Sequence, residues 1–282
     1  NKPYRTSLIQ AWIEEKSGGR IQAAGVGRIG LADLEGPAAA LRSRLAGLVG
    51  HRWLTVDADR PAHLAALAAA VRELTAGAEA AMGGRPPRFL LQSAASLLPP
   101  LAALPPQPLD PRGLAALRRR APTPGGEPLS GLVLVGSHVP LADAQLEHLL
   151  GTPGCIGVEL DVAKMHRLLE GPLPDRLLAS LEVAWLERLR AVLAKGRTPV
   201  FFTSRGELAC RHAAERRALG QALAGAMARV VACLAPQLGY VISKGGITTH
   251  ALLAEGFDLT AVELQGQVRP GLSLVLAPPQ AV

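Results

Sequence analysis

Residues 240–271 read YVISKGGITTHALLAEGFDLTAVELQGQVRPG, and the fold turns on how this stretch is read. The apolar run Tyr240-Val241-Ile242 predicts a strand. Ser243, Lys244 and the pair Gly245-Gly246 follow it, then Ile247. Thr248 and Thr249 stand just before His250-Ala251-Leu252-Leu253, where a helix is expected with the hydroxyls at its cap. Strand, glycine turn and helix in that order can hold an anion. Glycine lets backbone N–H groups approach a ligand closely. The first N–H groups of a helix have no partner within it and point at whatever lies beyond its end. Lys244 adds a full positive charge beside the turn. The spacing is neither the Walker pattern nor, in this stretch, the dinucleotide fingerprint. Two readings therefore stand together: a phosphate cradle at Gly245, Gly246, Ile247 and Thr248, or a bend in which the glycines serve only the turn.

Upstream, residues 131–135 (GLVLV) form a wholly apolar run, as expected of a strand buried on both faces. It ends in Gly136-Ser137-His138, with a helix expected from Pro140. Ser137 is thus a second candidate contact for a ligand, or a helix-capping serine in a plain turn. Further strands are expected over 156–160 and 199–202, and long helices over 174–195 and 211–234, with Trp185 on a core stripe. Arg205, just past the second of these strands, suits a phosphate, an acidic substrate or a domain interface. Downstream, a strand is expected over 259–264. Turns are expected at Gln265-Gly266-Gln267 and Pro270-Gly271, then a last strand over 273–276. Gly266 suits a ligand rim and a hairpin equally.

The front half repeats the alternation of strand and helix. A helix is expected over 7–16, a strand over 21–31, helices from Pro37 and Pro61, and short strands ending at Asp57 and covering 88–92. Gly25, Gly27 and Gly30 have GxGxxG spacing. The helix is expected only from Pro37, so the glycines read as a strand-edge loop. Asp57 and Asp59 are either ligand contacts at a strand's carboxyl end or caps of the next helix. Residues 99–130 are rich in proline and glycine and read as a linker or a long surface excursion between domains. The pattern predicts an α/β protein of two domains, 1–126 and 127–282, each a mostly parallel sheet flanked by helices.

Composition narrows the function classes. The 282 residues carry a net charge of +7, but only 3% are aromatic. Arg118-Arg119-Arg120 is the one basic run, so a base-stacking nucleic-acid surface is not expected. No apolar run reaches the roughly 18 residues of a membrane span. Cys155, Cys210 and Cys233 show no CxxC spacing, which suits buried thiols in a reducing, cytoplasmic setting. No His/Cys metal motif and no GxSxG elbow are seen, so no metal site is expected.

The segment SKGGITTHALLAEGF followed by LQGQVRPG resembles the nucleotide-binding domain of the four-carbon acid sugar kinase family. GLVLVGSHVPLADAQLEHLL, IGVELDV and FFTSRGE agree with it in order. WLTVDADRPAHLAALAAAV and RFLLQSAASLLPPLAALP resemble the rear of that family's substrate domain. The resemblance implies two α/β domains and an ATP-dependent kinase, usually with Mg²⁺, acting on the terminal hydroxyl of a threonate, erythronate or 3-oxo-tetronate. It implies nucleotide contacts at Ser137, Gly245, Gly246, Ile247, Thr248 and Gly266. The partners would be a small sugar acid and ATP, and a homo-oligomer is compatible with it. Thr249 stands where the family commonly has Ser, and His250 also departs from the pattern. The family's paired aspartates near the start of the substrate domain have no counterpart here. The expectation is therefore a partial sugar-acid domain, and no catalytic base is named. The alternative is a non-catalytic nucleotide-binding or interaction protein that keeps the fold.

Overall fold

The computed structural model describes residues 5–76, 87–105, 110–206, 210, 212–269 and 272–277. The chain forms two compact units, Asn1–Asp110 with Leu264–Leu274, and Pro111–Glu263 with Val275–Val282. The sequence reading divides the chain at 126/127. The units instead meet at 110/111, and most of the last hairpin groups with the first.

In the first unit, helix α1 (Ile9–Ser17) ends at Gly18 in the left-handed conformation. Strand β1 (Gly27–Ile29) pairs in parallel with β2 (Leu54–Val56). Helices α2 (Leu31–Glu35), α3 (Ala38–Ala46) and α4 (Pro61–Ala76) surround a core of Ile29, Leu34, Leu41, Leu45, Leu67 and Val71. The helix expected from Pro37 thus has a predecessor that opens directly after Gly30. Asp33 explains it: its Oδ2 accepts the Gly30 N–H at 2.7 Å, the reach-back half of a capping box. The strand lies between the second and third glycines of the GxGxxG run, so the fingerprint context is absent there. Residues 88–92 are not a strand. Among the described residues they have no ladder partner, and Leu90 is fully exposed. Asp57 pairs with Arg28 at 2.6 Å, and Asp59 with His63 at 3.0 Å, so both acids serve their own unit.

The 99–130 stretch carries two short helices, α5 (Leu98–Leu101) and α6 (Pro111–Leu117). The basic run beyond α6 is structural. Arg118 donates to Leu129 O, Arg119 to Ala235 O and Arg120 to Gly126 O, each at 2.8–2.9 Å.

The second unit is built on one parallel sheet of four strands, in the order β4 (Cys155–Leu160), β5 (Thr198–Thr203), β3 (Leu132–Val135), β6 (Val241–Lys244). The two central strands are the ones with continuous apolar sequence. Every residue of β3 is buried, as are five of the six in β5. The edge strands β4 and β6 alternate or stay half-buried. A strand covered on both faces needs apolar residues at every position. Helix α7 (Pro140–Leu150) covers one face, setting Leu146 and Leu149 against Val133, Val135, Val200 and Phe202. Helices α8 (Val162–Leu169), α9 (Pro174–Leu193) and α10 (Ala213–Ala232) cover the other, over Leu132, Leu134, Val158, Leu160 and Phe201. Trp185 sits in this second layer, tilted against Phe201 with ring centroids 5.9 Å apart. Each such fully buried side chain contributes about 1.5–3 kcal/mol.

Helix α11 (Gly246–Ala251) also packs on the second face, with Ala251 against Ala224 and Ala228 of α10. The chain therefore leaves β3 toward one face, and leaves β5 and β6 toward the other. Connections that part in this way open a crevice at the carboxyl ends of the strands, the usual ligand site of a parallel sheet. Strands β7 (Glu263–Arg269) and β8 (Leu272–Leu276) form a separate two-stranded sheet.

Candidate functional site

The crevice gathers three turns. Gly136-Ser137-His138 follows β3, Ser204-Arg205 follows β5, and Gly245-Gly246-Ile247-Thr248 follows β6. Val135 is in register with Lys244, and Gly136 N–H donates to Lys244 O at 3.1 Å, so the first and third turns leave the sheet side by side. Gly245 has φ +118°, a conformation that side chains disfavour. A Cβ there would also lie 3.3 Å from Ser137 N.

The helix starts earlier than the sequence reading has it. α11 opens at Gly246, and Thr249 N–H closes its first turn on Gly245 O at 2.8 Å. Thr248 and Thr249 are thus inside the first turn and do not cap it. Their hydroxyls are turned to the sheet. Thr249 Oγ1 lies 2.8 Å from Ser243 Oγ, and buried Thr248 fills the space that Gly136 leaves by having no side chain. A Cβ on Gly136 would collide with Thr248 Oγ1.

This early start brings the free helix end against the strand end. Among the described residues, nothing accepts the N–H of Gly246, Ile247 or Thr248. A Cβ on Gly246 would meet nothing within 4 Å, and Ile247 is 67% exposed. The three amides therefore line an open cup, already oriented by the turn of helix. Lys244 makes no ion pair among the described residues. Beyond Ala251 the helix loosens into a π turn, Leu252–Gly256.

The middle turn adds charge. Arg205 Nη1 donates to Ser137 O at 2.6 Å and to Asp143 Oδ1, in the first turn of α7, at 2.9 Å. His138 Nε2 lies 3.0 Å from the hydroxyl of buried Thr203. Burial and the Arg205 guanidinium lower the His138 pKa below its ordinary 6.5, against a smaller upward pull from Asp143. His138 thus binds its proton more weakly in the folded protein than in the unfolded chain. The stability tied to its neutral form is complete above pH 6.5 and is lost as pH falls through the lowered value. His138→Gln should therefore flatten the fall in unfolding midpoint on acidification below pH 6.5. An unchanged acid limb would assign that fall to other groups.

A family model described as the nucleotide-binding C-terminal domain matches residues 132–282, more than half of the chain. The chain belongs to this nucleotide-binding domain family. No curated protein matches it. The match begins at β3 and includes all three turns of the crevice.

Of the residues expected to bind nucleotide, Ser137, Gly245, Gly246, Ile247 and Thr248 come together within the second unit of the nucleotide-binding chain. Gly266 belongs to the other unit. It is a buried residue of β7 at φ +133°, and residues 264–274 group with the first unit. The expected turn at Gln265-Gly266-Gln267 is strand, because Gly266 and Gln267 are buried in that sheet; Pro270 and Gly271 lie outside the described residues. Cys233, expected to be buried, is exposed.

Two further groupings were not legible in the sequence. His166 of α8 faces Glu215 Oε1 at 3.1 Å and Glu170 Oε2 at 3.6 Å. Only the i,i+4 spacing of His166 and Glu170 hinted at this; Glu215 arrives from α10. A shallow depression of about 470 Å³ is lined by Glu127, Leu129, Ser130, Arg190, Leu193 and Gln237. Its walls precede β3, β5 and β6, so it lies at the amino ends of the strands, opposite the crevice. Among the described residues, no helix is long and apolar enough to cross a membrane.

Proposed function

We propose that the protein is an ATP-dependent kinase that phosphorylates the terminal hydroxyl of a four-carbon sugar acid of the threonate, erythronate or 3-oxo-tetronate type. The observation that carries this reading is the open cup of three unpartnered amides at Gly246, Ile247 and Thr248. Amides fixed at a helix start offer a phosphate tail hydrogen bonds with little reorganisation. Ser137 would border that tail, and Gly266 is a further nucleotide contact that the family resemblance implies. The order of the matching sequence segments supports the sugar acid as acceptor, held by the first unit.

Phosphoryl transfer needs positioning and charge neutralisation more than covalent chemistry from the protein. Mg²⁺ would supply part of that neutralisation. Asp143, the acid in the first turn of α7, is paired through Oδ1 with Arg205. The ion would enter bound to the phosphates of ATP. The cytoplasm is the setting in which ATP and such acids are available.

The test is ADP release by the full-length gene product with ATP, Mg²⁺ and a panel of tetronates, with product analysis for the phosphorylated position. Turnover with one tetronate, at rates well above ATP hydrolysis alone, is expected. ATP binding without turnover on any of them would make the protein a non-catalytic nucleotide binder.

A further inference from the structure

Arg205 holds an unfinished set of hydrogen bonds. Its Nη1 is committed to Ser137 O at 2.6 Å and to Asp143 Oδ1 at 2.9 Å. Its Nε and Nη2 are shut off from solvent and, among the described residues, have no acceptor. Guanidinium N–H groups that are neither hydrated nor paired are unfavourable, and such orphans call for a reason. The Nε/Nη2 edge is the fork that grips two oxygens of a phosphate or carboxylate in parallel.

The place of this edge suggests its ligand. Ser137 links the guanidinium to the amide cup. Its carbonyl accepts from Arg205, and its own amide N lies 3.3 Å from where a Cβ on Gly245 would stand. Arg205, Ser137 and the Gly245 turn therefore form one continuous rim across the ends of β5, β3 and β6. His138 on the same rim is pushed toward its neutral form, so the cations of the rim are Arg205 and Lys244. The carboxylate of Asp143 fixes the far side of the guanidinium and so sets the direction of the free edge. Gly206 follows at φ +104°, a backbone state that side chains disfavour, which shapes the turn carrying Arg205.

We propose that Arg205 is a phosphate ligand of the nucleotide site, its Nε/Nη2 edge taking two oxygens of the outer phosphoryl groups while Asp143 positions it. This rests on the nucleotide-binding reading and adds to it a residue outside the glycine turn. Because both nitrogens are shut off from solvent, binding requires a small shift of the Arg205 side chain.

The experiment measures the affinities of ATP, AMP and inorganic tripolyphosphate by calorimetry, for the full-length protein and for Arg205→Lys, Arg205→Gln and Asp143→Asn. Losing a charge-assisted pair of hydrogen bonds should weaken ATP and tripolyphosphate by ~10–100-fold in both Arg205 variants. AMP should change by less than about twofold, since it lacks the outer phosphates. Asp143→Asn should give a smaller loss of the same pattern. Lys retaining full affinity would reduce Arg205 to a point charge and overturn the bidentate proposal. Equal losses for AMP and ATP would make its role structural and overturn it as well. If the wild type binds tripolyphosphate but not ATP, the nucleotide reading fails while Arg205 is still tested on tripolyphosphate. If it binds neither, both fail.

Discussion

Gly246→Val should leave the fold intact and weaken ATP binding by at least ~100-fold, the equivalent of losing about two charge-assisted hydrogen bonds. The geometry separates these two effects. A Cβ at Gly246 meets no protein atom within 4 Å, and its φ lies outside the left-handed range, so the chain has no steric reason to refuse valine. The same empty space is where an anion would sit against the amides of Gly246, Ile247 and Thr248. Valine's methyl groups would occupy it. Gly246→Ala, which adds one carbon, should lose less. Titration of ATP against each variant, alongside thermal melts, gives the answer. Unchanged ATP affinity with an unchanged melt would reduce the glycine turn to a bend.

Gly136→Ala should do the reverse, damaging the fold of the second unit before any ligand is added. Its Cβ would collide with Thr248 Oγ1, inside the buried joint between the ends of β3 and β6. Overpacking of this kind costs about 1–3 kcal/mol. Thr248→Ala removes the colliding atom, so the double variant should be more stable than Gly136→Ala alone. The coupling should exceed ~0.5 kcal/mol, as for residues in direct contact. Urea unfolding in a Trp12→Phe/Trp53→Phe background leaves Trp185, in the core of the second unit, as the reporter. Strict additivity would mean that the two residues do not share that space.

Much of the second unit is visible in its sequence, because its layers demand different residue patterns. The run Leu132–Val135 is apolar at every position since helices cover both of its faces. Pro174 starts α9, with Asp175 in its first turn, where proline and an acid favour a helix start. The glycine turn was legible for a related reason: Gly245 occupies a backbone conformation that few other residues accept.

Other features escaped because they depend on partners remote in sequence. Thr248 and Thr249 look like caps in a string of letters. Only the packing of Thr248 into the gap at Gly136, and the bond from Thr249 to Ser243, pull them into the helix. Gly266 looks like a turn residue, yet Gly266 and Gln267 are buried within β7. Residues 88–92 have strand composition but, among the described residues, no neighbouring strand to complete a ladder.

By itself the sequence determined the parallel α/β class, the central strand and the glycine turn, because local backbone preference and burial on two faces leave direct marks on residue choice. Only the tertiary structure decided which groups meet at the crevice. It left three amides open beside Ser137 and set Arg205 there with one edge unsatisfied. Those outcomes depend on the order of strands in the sheet, and a strand's neighbours are not written in its own residues.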